Sequence, residues 1–182
     1  FGGIFPQIIR DQTRLTKGTL IIGLPDPASV IAIHDLSQPD VDLETRLTTS
    51  ASTPTQGTLF VFVDGFATRI SALIDALFTE FGLEMNYLGG GCGSLSLRPK
   101  PCVITNQGLL QDAAVLAFLD MPSGIGVAHG WSPISEAFKA TETEGNRIHS
   151  LDWQPAFEIY RSAVASHSGA QLSRERFFDI AK

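Results

Sequence analysis

One stretch constrains this chain more than any other. Leu59-Phe-Val-Phe-Val63 is apolar without alternation, so both faces of the strand it forms must be covered. Asp64-Gly65 ends the run. An amphipathic pattern follows, with Ile70, Leu73, Ile74, Leu77, Phe78 and Phe81 on one stripe and Arg69, Asp75, Thr79 and Glu80 opposite. Thr68 is the candidate N-cap, and Gly82 is placed to stop the helix. Residues 85–88 predict a short strand, and Gly89-Gly-Gly-Cys-Gly-Ser94 predicts a loop after it. A strand–helix–strand unit of this kind, if parallel, sets Asp64 and the Gly89 loop at one edge of a sheet.

Around this unit the pattern is less regular. Residues 20–24 and 30–33 read as short strands separated by Pro25-Asp26-Pro27. Residues 35–57 are first acidic and then small and polar. Val41, Leu43 and Leu47 support a short helix there, and the remainder predicts a mobile surface loop. From Pro101 onward, strands at 102–105, 113–119, 125–131, 138–143 and 147–153 are expected as a five-strand meander, because the turns between them hold Gly. Pro155 opens a helix at its tolerated first position, with Phe157, Tyr160, Ala163 and Val164 on the buried side and an end near Gly169. Ser173 is a candidate N-cap of a last helix. The expected class is α+β: a mixed, mostly antiparallel sheet with an embedded strand–helix–strand unit and helices packed on the sheet.

Composition narrows the function. The net charge is −6, and the closest basic grouping is Arg98 with Lys100, so a phosphate backbone has no cationic track to bind and nucleic acid is not an expected partner. No apolar run approaches the roughly 20 residues of a membrane span, so membrane insertion is not expected. Two cysteines, Cys92 and Cys102, read as reduced thiols of a cytoplasmic protein. The four histidines (His34, His129, His149 and His167) lack metal-ligand spacing, so neither a metal nor a cofactor is expected.

Several residues are candidates for a site. Gly89, Gly90, Gly91, Cys92 and Gly93 could turn backbone N–H groups toward a carboxylate or phosphate, or serve only as a tight strand exit. Asp64, with Gly65, could accept a bond from a ligand amine, or bond its own turn, which is the commoner outcome. His129 and Trp131, separated by Gly130, could shape a pocket wall, although a lone strand histidine is more often structural. Cys92 could be a nucleophile with His129 as base, but a small residue filling space is the simpler reading, and no enzyme activity is expected.

The order and spacing of these segments resemble a family. Leu59-Phe-Val-Phe-Val-Asp-Gly65 with its helix and Leu88-Gly-Gly-Gly91 are similar to the N-terminal FIST domain of F-box and intracellular signal transduction proteins. So are Cys102-Val-Ile-Thr-Asn-Gln-Gly108, Gly126-Val-Ala-His-Gly-Trp131 and the segment from Thr141 to Ile148. Leu151-Asp152 with Pro155-Ala-Phe-Glu-Ile-Tyr160 resembles the junction into a C-terminal FIST unit. The resemblance implies residues 1–153 as an N-terminal domain, incomplete at its start, and 154–182 as the beginning of a second unit. It implies a sensory domain that binds a small molecule, amino acids being the usual suggestion, attached to other domains of a signalling protein. The alternative is a protein–protein interaction scaffold without a ligand. No catalytic residue is carried over.

Overall fold

The computed structural model describes residues 1–48, 56–94, 96, 98–145 and 147–177. Two compact units divide the chain, Phe1–Gly126 and Val127–Lys182. In the first, the elements run β1 (Gly2–Gly3), β2 (Ile8–Arg10), β3 (Thr13–Leu15), β4 (Ser29–Ile33), α1 (Leu43–Thr48), β5 (Gly57–Asp64), α2 (Ile70–Phe81), β6 (Met85–Cys92), β7 (Val103–Thr105), β8 (Gly108–Leu110) and β9 (Ala114–Leu119). In the second they are β10 (Ala140–Glu144), β11 (Arg147–Leu151), β12 (Gln154–Pro155) and α3 (Ala156–Ser168). The class is the expected α+β.

The unalternating run becomes an inner strand of a four-stranded sheet ordered β4-β9-β5-β6. β5 lies parallel to β6 and antiparallel to β9, and β9 is antiparallel to β4. Every residue of β9 is buried, as a strand covered on both faces must be. On one face Leu59, Val61, Val63, Leu116 and Phe118 pack under α1 and α2, which contribute Leu43, Leu47, Leu73 and Leu77. Each such leucine, taken wholly out of water, contributes roughly 2 kcal/mol. On the other face Cys92, Cys102, Val103 and Val115 cluster with Phe62 and Leu110. Beside them Phe1, Phe5, Phe60 and Phe62 form a chain of rings with centroids 5.9–6.3 Å apart.

α1 begins where Asp42 accepts the Thr45 N–H at 3.1 Å, a side-chain cap for a helix of only six residues. The polar stretch after it, expected as a mobile loop, falls largely at 49–55 and lies outside the described residues. α2 starts differently from expectation. Thr68 is not its cap: the Thr68 N–H donates to Ser37 Oγ at 2.9 Å, and the Arg69 guanidinium donates to the carbonyls of Gln38 and Val41. A long-range tie replaces the local one. Gly82 ends the helix at φ 63°, its N–H reaching the Phe78 carbonyl at 3.0 Å.

Three other expectations are corrected. Residues 20–24 form no strand; Leu20, Ile21 and Ile22 stand exposed, because apolar character without a pairing partner does not make a ladder. Residues 125–131 form none either, with glycines at 124, 126 and 130 raising the entropic cost of an extended segment. The meander is also broken. β7 and β8 join β1 in a small antiparallel sheet, and β9 crosses back to lie between β4 and β5.

In the second unit β10, β11 and β12 form an antiparallel sheet. Pro155 precedes α3 at the cap position rather than opening its first turn, and Gly169 closes the helix in the left-handed conformation at φ 69°. The proposed last helix after Ser173 falls mostly at 178–182, outside the described residues.

Candidate functional site

The parallel crossover sets Asp64 opposite Cys92, with Val61, Phe62 and Val63 opposite Gly89, Gly90 and Gly91. The glycines are therefore not a loop. They extend β6 through Cys92, so neither the concave nest nor the tight strand exit lies at Gly89–Gly91, which are extended strand. Gly93 follows, and its N–H donates to the Ile4 carbonyl at 2.8 Å.

Asp64 is 1% exposed and tied on every side. Its Oδ1 accepts the Phe66 N–H at 3.0 Å, and its Oδ2 accepts the Asp112 N–H at 2.7 Å. Its own N–H donates to the Ala113 carbonyl, and its carbonyl accepts the Ala67 N–H. A buried carboxylate satisfied in this way holds a turn in place. Asp112 continues the tie, since its carboxylate accepts the Ser37 N–H and hydroxyl. Gly65 donates to the Cys92 carbonyl at 2.9 Å and leaves no room for a side chain to spare, because an added Cβ would stand 3.1 Å from that oxygen.

Cys92 and Cys102 are free thiols, 2% and 3% exposed. Burial pushes the Cys92 thiol up to about 12, helped by the charges of Cys102 and Asp64. Burial pushes Cys102 up to about 11, with the Asp64 charge and a bond to its carboxylate adding to the effect. A nucleophilic cysteine needs the opposite surroundings, open and electropositive. His129 and Trp131 belong to the second unit, where Gly130 at φ 70° lets the Trp131 N–H turn back to His129 Nδ1 at 2.9 Å.

Space opens next to the glycines, on the side of α2. A groove of about 310 Å³ is lined by Val61, Val63, Ile70, Ile74, Leu77, Phe78, Tyr87, Leu88 and the glycines 89–91. Gly89 is glycine for a steric reason: a Cβ there would stand 1.8 Å from the Val61 carbonyl oxygen. Gly90 is not constrained in that way, since an added Cβ meets nothing within 4 Å. The strand thus offers a bare backbone wall. Phe78 of α2 packs on Tyr87 of the same strand at 4.7 Å between ring centroids, and the Tyr87 hydroxyl donates to the Gly82 carbonyl at 2.7 Å, which fixes the ring. Among the described residues β6 pairs with β5 alone, so its outer edge carries backbone N–H and C=O groups outside that ladder.

The sequence places Ile74 and Phe78 on the apolar stripe of α2 but names neither them nor Tyr87 as site candidates. The signal was present: Ile70, Ile74 and Phe78 repeat every four residues beside the Leu73–Leu77 pair, giving α2 more apolar surface than one sheet face needs. Among the described residues there is no cluster of His, Cys, Asp and Glu fit to hold a metal ion, and no helix long and apolar enough to cross a membrane.

The fold is an α+β domain built on a parallel strand–helix–strand unit, with a groove beside a glycine-rich edge strand. The FIST N domain model matches residues 1–154, and the chain belongs to that family, whose domains are associated with signal transduction. No curated protein and no solved structure matches the chain.

Proposed function

We propose that this domain is a sensory module that binds a small molecule with an apolar body, and that an apolar amino acid is the ligand class to test first. The observation that carries the reading is the groove between α2 and β6, where Ile70, Ile74 and Phe78 face a wall without side chains. Its volume of about 310 Å³ suits a small ligand, because such clefts run from roughly 300 Å³ upward. The apolar body would sit on Ile74 and Phe78, and a polar end would bond the free edge of β6. Asp64 has no open lone pair on the surface to offer, so the amine contact first suggested by its position moves to that edge. Membership of a signal-transduction family supports the sensory part of the reading.

Calorimetry of the full chain with a panel of amino acids tests it. An apolar member should bind, and Phe78→Ala should weaken that binding at least tenfold. A folded protein that gives no heat with any member of the panel refutes the small-ligand reading.

A scaffold that recognises another protein is the second reading. It is favoured by Leu20, Ile21 and Ile22, which are 66%, 86% and 72% exposed and adjacent in the chain. Replacing all three with Ser would abolish partner capture under this reading and would leave ligand binding in the groove unchanged.

A further inference from the structure

A second, smaller pocket lies where β6 ends, and its chemistry differs from that of the groove. It is about 90 Å³, room for about three waters or one small oxyanion. Ile4, Phe66, Pro101 and Cys102 contribute its apolar wall, and Gly93, Ser94, Arg98 and Lys100 complete it. Arg98 and Lys100 are both exposed, and among the described residues neither forms an ion pair; the Arg and Lys pairs present join Arg10 to Asp11 and Glu158 to Arg161. Two cations therefore border one small pocket in a chain of net charge −6.

From this pairing we propose that the pocket is an oxyanion site, taking the carboxylate or phosphoryl group of a small molecule. Arg98 supplies a planar fork that matches two oxygens at once, and Lys100 supplies a compact charge. Ser94 Oγ lies 2.6 Å from Ser96 Oγ, which leaves one of the two hydroxyls able to donate to an anion. The nearby Asp64 carboxylate does not occupy the cations: it is 1% exposed and is held by the amides of Phe66 and Asp112. The location fits as well, since ligands of open sheets with parallel strands gather beyond the strands' carboxyl ends. The assignment does not depend on the groove, because the residues of the two cavities are different.

The test is titration of the full chain with inorganic phosphate and, separately, with acetate, at constant ionic strength in a chloride background. Binding is followed by calorimetry and by backbone amide chemical shifts. Saturable binding is expected, with shifts centred on Gly93 and Ser94. Arg98→Gln and Lys100→Gln should each weaken it about fivefold, and the double variant should abolish it. Arg14→Gln, on β3, should leave it unchanged. Phosphate binding without acetate binding assigns a phosphoryl group, and binding of both assigns a general oxyanion site. Either the absence of saturable binding to both anions, or equal affinity in the double variant, overturns the proposal. Circular dichroism of the double variant, unchanged because both side chains are exposed, separates lost binding from lost folding. Failure here leaves amino-acid binding at Phe78 untouched, so the two readings fail separately.

Discussion

Asp64 Oδ2 accepts the backbone N–H of Asp112 at 2.7 Å, across 48 residues of chain, and this bond locks the end of β5 to the start of β9. The other carboxylate oxygen holds the Phe66 N–H, so one buried side chain fixes both the exit of the strand and the entry to α2. Asp64→Asn keeps the shape but turns an NH₂ toward one of two N–H donors. A loss of about 2 kcal/mol in stability is expected, since a buried donor is left facing a donor. Urea unfolding at neutral pH measures it, and a change under about 0.5 kcal/mol would show that the network is dispensable.

Gly89 and Gly90 are adjacent and should respond oppositely to the same change. Gly89→Ala drives a methyl to within 1.8 Å of the Val61 carbonyl oxygen in the paired strand, so the β5–β6 ladder must separate. Destabilisation of at least about 3 kcal/mol is expected, in the range of severe overpacking. Gly90→Ala adds a methyl in open space and should change stability by less than about 1 kcal/mol, with a gain from restricting the unfolded chain. Thermal unfolding of the two variants side by side checks the contrast.

The same two glycines show what the sequence could and could not say. A run of glycines after a buried strand is an obvious mark, but its residues do not distinguish a loop from a bare strand. That distinction depends on whether a neighbouring backbone stands where a Cβ would, which is a tertiary fact. The 59–63 run and the α2 stripe were legible because burial on two faces leaves an unbroken apolar run and burial on one leaves a helical period. Residues 20–24 misled for the converse reason: they have strand composition and no partner. Asp64 was legible as a residue of consequence. Its engagement with Asp112, far away in the chain, was not, and that engagement separates a structural acid from a ligand-binding one. Arg98 and Lys100 were visible as a pair and set aside as too few for nucleic acid. Their convergence with Ser94 and Phe66 on one pocket required the fold.

The two thiols give a pH dependence with a definite sign. Folding raises Cys92 from 9.0 to about 12 and Cys102 from 9.0 to about 11. The folded state therefore keeps its thiol protons at pH values where the unfolded chain has released them. The stability from these protonated, buried groups is complete below about pH 9 and is lost progressively as pH rises toward 11 and 12. Urea midpoints should be flat from pH 7 to 8.5 and fall above pH 9, and the fall should be smaller in Cys92→Ala. A thiol-specific disulfide reagent at pH 8 should modify neither cysteine on the time scale on which it modifies the urea-unfolded chain.

The β11–β12 hairpin offers a stabilising change. Leu151 pairs with Gln154, so Asp152 and Trp153 alone make the turn, at φ 46° and 65°. Positive φ at both central positions is the pattern of a type I′ turn, which favours Gly at the second. A tryptophan there costs about 1–2 kcal/mol of backbone strain. It recovers little of that by packing, because it is 83% exposed. Trp153→Gly keeps the N–H that donates to Thr141 Oγ1 at 2.9 Å and removes the strain. Part of the gain is offset by the extra freedom of glycine in the unfolded chain, roughly 0.5–1 kcal/mol. A net rise of about 0.5–1 kcal/mol is expected, read from hydrogen exchange of the Asp152 and Trp153-position amides and from chemical denaturation. A fall in stability would mean that the exposed indole makes a contact whose removal outweighs the relief of the turn.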